Sequence, residues 1–271
     1  MSAALRRRGF IHAAGAFALT PALTPAPARS SPPEWPPAEG KGTPRLCLGT
    51  GANADEKEMR RIRQIGVDHV LMGGPPIPWT EESLRALVER FREGGLAVAN
   101  LMVYGFPRAL YGRPGRDEEI EKVKDSIRAA GKAGVPVVEY NFYSHRLTEG
   151  YYEELGRAGA GMTAYDYDRS KDLPPLPEVG AHTVDEMWAN VTWFLKQVVP
   201  AAEAAGVRLA LHPNDPPVPL SRGSGQIMAT LEGWKRLVMI VDSPANGPSP
   251  WIEEKISTRL AVVVMRALRH Q

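Results

Sequence analysis

From Arg45 onward the chain alternates two kinds of segment. Short runs dominated by apolar residues fall at 45–50 (RLCLGT), 68–73 (DHVLMG), 96–103 (LAVANLMV), 135–142 (VPVVEYNF), 207–211 (VRLAL) and 239–243 (MIVDS). Runs of this type, apolar throughout rather than alternating, predict strands of a parallel sheet buried on both faces. Between them lie longer segments whose apolar positions recur every three or four residues. Met59, Ile62 and Ile65 mark one face of a helix over 54–66, stopped by Gly66. Leu84, Leu87, Val88 and Phe91 mark a second, capped by Thr80. Ile120, Val123 and Ile127 mark a third over 117–132. Thr183 and Glu186 have the spacing of a capping box and open a helix to about Ala205, which Pro200 is expected to kink or divide. A short helix is expected over 231–238.

Six β units with five intervening helical segments predict an α/β fold, a (β/α) barrel of the TIM type. A complete barrel has eight strands, so about six of eight units are present. A doubly wound sheet is the weaker reading, because Gly49-Thr50-Gly51 is too short for a dinucleotide-binding turn. The segment 143–181 exceeds ordinary loop length and is either functional or disordered. Residues 248–271 break the alternation and read as one amphipathic or mostly apolar helix. That tail either lies against the open edge of the sheet or is a non-native end; both readings stand.

Charge changes the picture at the two ends. The whole chain is formally +2. Setting aside three arginines in 1–28, and four basic and two acidic residues in 250–271, leaves 26 basic against 29 acidic. A mildly acidic body argues against a nucleic-acid surface. Arg6-Arg7-Arg8-Gly9-Phe10-Ile11, a weakly apolar run and Ala26-Pro27-Ala28 together predict a secretory leader of the twin-arginine type and a periplasmic destination. Its apolar run is too short to span a bilayer. Residues 29–43 read as a Pro-rich linker. The single cysteine, Cys47, excludes an intramolecular disulfide and is expected in the core.

The candidate chemistry collects at the carboxyl ends of the strands, where barrels keep their active sites. The stretch VRLALHPNDPPVP (207–219) carries a strand that breaks at His212 into a loop with Asn214 and Asp215, stiffened by four prolines. A solvated histidine at a strand end is the plain alternative. The other strand ends offer Thr50, Asn53, Gly73, Gly74, Tyr104, Glu139, Asn141, His145, Asp242 and Asn246. Imidazole and carboxylate donors suit a divalent metal. No local two-ligand motif is present, so ligation would rest on residues far apart in sequence. His145 with Arg146 reads equally as a solvated pair. Tyr151, Tyr152, Tyr165 and Tyr167 read as loop packing or as substrate contacts, and Trp188 and Trp193 as helix packing.

VEYNFYSHRLTEGYYEE, GMTAYDYDRS, RLALHPNDPPVP and LEGWKRLVMIVDSPANG, in that order, resemble the mannonate dehydratase family. The resemblance implies a metal-dependent (β/α)₈ barrel that converts D-mannonate to 2-dehydro-3-deoxy-D-gluconate with Mn²⁺ or Fe²⁺. It implies that His212 is the first metal-binding histidine, and that Asn214 stands where many members carry a second aspartate. His145, Tyr167 and Asp215 become candidates for the base and the acid. Asn141, Arg146 and Asn214 become candidates for contacts to a small sugar acid. After the SPANG segment the family continues through a cysteine, a histidine and an acidic ligand, whereas this chain turns into Pro248-Ser249-Pro250. One expected ligand is therefore in place. The competing expectations are a metal-dependent sugar isomerase or epimerase of the same barrel class, and an inactive truncated sugar-acid-binding protein. Unpaired strand edges make a homo-oligomer a further expectation.

Overall fold

The computed structural model describes residues 46–246. The predicted leader (1–28), the linker (29–43) and the tail helix (248–271) lie outside the described residues. The body opens with strand β1 (Cys47–Gly49), helix α1 (Glu56–Gln64) and strand β2 (His69–Gly73). Helix α2 (Glu81–Glu93), strand β3 (Ala97–Val103), helices α3 (Pro107–Tyr111) and α4 (Arg116–Ala133), and strand β4 (Val137–Tyr140) follow. An antiparallel hairpin, β5 (Tyr151–Leu155) and β6 (Gly161–Tyr165), precedes helix α5 (Val184–Ala204) and strand β7 (Arg208–Leu211). A two-residue ladder, β8 (Leu220–Ser221) with β9 (Ser224–Gly225), leads to helix α6 (Leu231–Val238).

The sheet decides the architecture. Its order is β1-β2-β3-β4-β7, and every neighbouring pair is parallel. Each new strand is added on the same side of the last, with helical connections between. A doubly wound sheet reverses direction at a switch point, and this one does not. The five strands are a continuous arc of an α/β barrel.

The core lies between this arc and the helices. Val70, Met72, Leu101, Val103, Val138, Tyr140, Leu209 and Leu211 are buried and belong to one cluster with Leu84, Phe91, Ile127, Val191, Leu195 and Val198 from the helices. Phe194 on α5 sits among three rings, with Phe106, Tyr140 and Phe142 centred 5.1, 5.2 and 5.4 Å away. The opposite sheet face is half-buried at Leu71, Asn100, Met102, Glu139 and Ala210. Burial on both faces, expected from the apolar runs, therefore holds for one face of the described residues.

Local signals account for most element boundaries. Thr80 accepts from the Ser83 amide, and Thr183 and Glu186 complete the capping box. Pro200 sits inside α5 without dividing it; the carbonyl it deprives of an amide belongs to exposed Lys196, where water can serve it. Ile65 is exposed because α1 ends at Gln64 and leaves it at the cap. Cys47 is exposed rather than in the core, on a strand paired through β2 at the sheet edge. The sixth strand expected at 239–243 does not form. Asn246 Nδ2 donates to the carbonyls of Leu237 and Val241, and β7 meets this region through Leu209 N and Ala245 O, 2.7 Å apart. Within 239–243 the Val241 and Ser243 carbonyls are thereby taken by Asn246, through its side chain and its backbone N–H.

Candidate active site

Three adjacent strands present polar side chains on the half-buried face. Glu139 lies opposite Met102 on β3 and Ala210 on β7. Asn100 is two residues before Met102, and His212 is two after Ala210, so all alternate onto one face. Asn100 reaches that face through a bulge: the β2–β3 register skips Ala99, so Val70 pairs with Val98 and Leu71 with Asn100. The extra residue keeps Val98 and Leu101 buried together and re-aims Asn100.

The result is a relay. Glu139 Oε1 lies 2.5 Å from His212 Nδ1, and Glu139 Oε2 accepts from Asn100 Nδ2 at 2.5 Å. The His212 backbone N–H also continues the ladder past β7 by donating to the Tyr140 carbonyl. Asn141, just beyond β4, donates weakly to Met102 Sδ at 3.4 Å. Its Oδ1 and that of Asn100 are enclosed acceptors without a donor among the described residues, as polar groups open to a ligand or water are. Asn141 also lines a cavity of about 160 Å³ with Tyr104, Phe106 and Tyr111. A larger groove, about 530 Å³, runs along Asp185, Trp188, Thr192 and Lys196 of α5 and Arg236, outside the strand ends.

The long segment after β4 covers this region as structure, not disorder. Tyr151 on β5 donates its phenol to Asp215 Oδ1 at 2.5 Å, and Tyr165 packs edge-on against it. Burial first, then the hydrogen bond and charge of Asp215, raise the Tyr151 phenol above its ordinary range, so it stays protonated. Burial also raises Tyr143, against the charge of Arg146. The charge of the exposed Arg146 opposes the rise at both tyrosines.

A second contact set latches the segment down. Arg222 Nε lies 2.6 Å from Glu149 Oε1, its Nη1 donates to the Pro174 carbonyl, and Ser221 Oγ donates to the His145 carbonyl. Burial pushes the Glu149 carboxyl up, but Arg222 and the Glu149 and Thr148 amides outweigh it and hold the group at about 2.

Of the residues read from sequence, His212, Asn141, Asp215 and Arg146 fall at the strand-end face or on the loops beside it. Asn214, expected at the substrate, is buried and ties its own loop: its Oδ1 accepts from the Met228 amide at 2.7 Å. His145, expected as base or acid, sits in the latch, its Nε2 3.4 Å from Glu149 Oε1. Tyr167 lies in the 3-10 turn after β6. Among the described residues no hydrogen bond or ion pair joins His145 or Tyr167 to His212. Glu139 was one strand-end carboxylate among several in the sequence, and Asn100 was not singled out. The signal for both was a polar residue inside an otherwise apolar strand.

The model of the family described as D-mannonate dehydratase (UxuA) matches residues 177–249, the stretch that holds His212 and Asp215. The mannonate dehydratase of Thermotoga maritima is 32% identical over 234 residues, covering 73% of this chain and 65% of that protein. The chain belongs to the mannonate dehydratase family. The Streptococcus pneumoniae mannonate dehydratase is 31% identical over 194 residues, covering 62% of this chain and 53% of the relative. The solved mannonate dehydratase of Streptococcus suis superposes with a TM-score of 0.67 at 26% identity, over 76% of this chain and 63% of that one. The chain thus spans slightly less than two thirds of the length of the family members it matches.

Proposed function

We propose that the chain is a hydro-lyase that dehydrates D-mannonate to 2-dehydro-3-deoxy-D-gluconate. The observation that carries this reading is His212, at the carboxyl end of the fifth parallel strand and inside the region the family model matches. Dehydration removes the weakly acidic proton beside a carboxylate and expels the neighbouring hydroxyl. Asp215, whose Oδ1 accepts from the Tyr151 phenol, supplies a carboxylate to receive the proton. Arg146 supplies a cation for the substrate carboxylate.

The proposed ion is Mn²⁺ or Fe²⁺, a Lewis acid for sugar-acid oxygens when bound. His212 would hold it through Nε2. Among the described residues no group of three His, Cys, Asp or Glu is placed to share one ion, and catalytic sites ordinarily use three protein ligands. The leader read from residues 1–28 makes the periplasm the proposed compartment; a reporter fused behind residues 1–35 that stays in the cytoplasm would reject it.

The deciding assay incubates the purified full chain with D-mannonate and Mn²⁺ or Fe²⁺ and measures the keto-deoxy acid. Product formation that His212→Ala abolishes supports the reading. Isomerised sugar without the keto-deoxy acid, or no turnover at all, overturns it.

A further inference from the structure

Glu139 takes no part in the chemistry assigned above, yet both of its oxygens are committed. One faces His212 Nδ1 and the other accepts from Asn100, each at 2.5 Å. The Glu139 side chain is 13% exposed and that of His212 35%. The carboxylate is thus the enclosed partner and the imidazole the one that reaches solvent. Asn100 and Glu139 stand on strands hydrogen-bonded side by side, and His212 directly follows the next strand with its N–H on the Tyr140 carbonyl, so the sheet fixes their spacing.

We propose that Glu139, anchored by Asn100, is a positioning residue that locks neutral His212 with its proton on Nδ1 and its Nε2 lone pair bare. An ionised carboxylate only accepts hydrogen bonds, so the ring nitrogen facing it must carry hydrogen. In a neutral imidazole one nitrogen donates and the other accepts, so the proton on Nδ1 empties Nε2. Free histidine favours the opposite tautomer, and the bias toward Nδ1–H comes from this contact. Asn100 removes the remaining freedom: with Oε2 held by an amide, the carboxylate cannot swing away from the ring. The bulge at Ala99 is the backbone device behind it, because without the extra residue Asn100 would point at the helices. A histidine oriented in this way presents a fixed lone pair to a cation or a substrate proton. That use rests on the dehydratase reading; the tautomer does not.

The test labels the histidines of the full chain with ¹⁵N and records the His212 ring nitrogens across a pH series. His212→Gln identifies the signals by their loss. The wild-type protein is expected to show protonated Nδ1 and unprotonated Nε2. Glu139→Ala should return the ring to the Nε2–H form. Glu139→Gln, whose amide carbonyl still accepts, should retain Nδ1–H at least in part, and Asn100→Ala should give a mixture. A wild-type ring protonated on Nε2, or an Nδ1–H form that survives Glu139→Ala, overturns the proposal. If Glu139→Ala does not fold, the wild-type and Glu139→Gln spectra still decide it. Mn²⁺ titration followed by electron paramagnetic resonance separates the two readings. Glu139→Ala should bind Mn²⁺ about 10- to 100-fold more weakly than wild type. A wild-type chain that binds no Mn²⁺ overturns the metal part of the functional reading and leaves the tautomer result standing.

Discussion

The phenol of Tyr151 and the carboxylate of Asp215 meet at 2.5 Å across 64 positions of sequence. This contact ties the β5–β6 hairpin to the loop that follows His212. Removing the hydroxyl with Tyr151→Phe keeps the edge-on packing with Tyr165 and deletes the tie. Asp215 is exposed and recovers water, so the expected loss of stability is modest, on the order of 1 kcal/mol. Amide hydrogen exchange should quicken across 151–165 while the five-stranded sheet is unchanged. Unchanged exchange in the hairpin would mean that the Glu149–Arg222 latch alone holds it.

That latch predicts a pH dependence. The Glu149 carboxyl titrates at about 2 in the folded chain against an ordinary value of 4.5. A depressed folded pKa gives stability that is present above the unfolded value and drains as pH falls from about 4.5 toward 2. Glu149→Gln should therefore be less stable than wild type near neutrality. It should also lose less stability on acidification from about pH 5 to pH 2. Denaturant unfolding at a series of pH values measures both slopes. Parallel slopes would show that Arg222 does not favour the ionised form.

Much of the scaffold was legible because strands and caps carry local signals. The apolar runs located β2, β3, β4 and β7, and Thr80, Thr183 and the 231–238 pattern placed their helices closely. The failures share a cause, which is that the deciding partner lies elsewhere in the chain. Met239 to Ser243 is as apolar as a strand, but Asn246 takes its Val241 and Ser243 carbonyls. Asn100 was hidden because a bulge, visible only in the strand pairing, chooses which face it takes. Asn214 and Asp215 are adjacent in sequence, yet one is spent inside its loop and the other faces Tyr151. Single-sequence reading gathered these side chains at the strand ends and could not sort those that a one-residue change of direction separates.

Phe194 offers a test of the core. Three aromatic rings surround it, and it is 1% exposed. Phe194→Ala should cost about 3–5 kcal/mol, because rings carried by β4, the following loop and α3's cap cannot all collapse into one vacancy. Phe194→Leu should cost clearly less. Denaturant unfolding monitored by circular dichroism reads both, and near-equal losses would mean that the cluster repacks freely.

Asn214 separates a structural role from a substrate role. Its Oδ1 accepts from the Met228 backbone N–H at 2.7 Å, and its own backbone N–H donates back to the Met228 carbonyl at 3.4 Å. Asn214→Ala would leave a buried N–H without an acceptor, at a cost of about 1–3 kcal/mol. Asn214→Asp keeps the acceptor and should retain more of that stability. If Asn214 serves the loop, the stability of the two variants should differ while turnover per folded molecule in each stays near wild type. If it instead contacts the sugar acid, KM for D-mannonate should rise in the alanine variant with little change in its melting temperature. Thermal unfolding and steady-state kinetics on the same preparations distinguish the two, and the enclosed Met228 contact predicts the first.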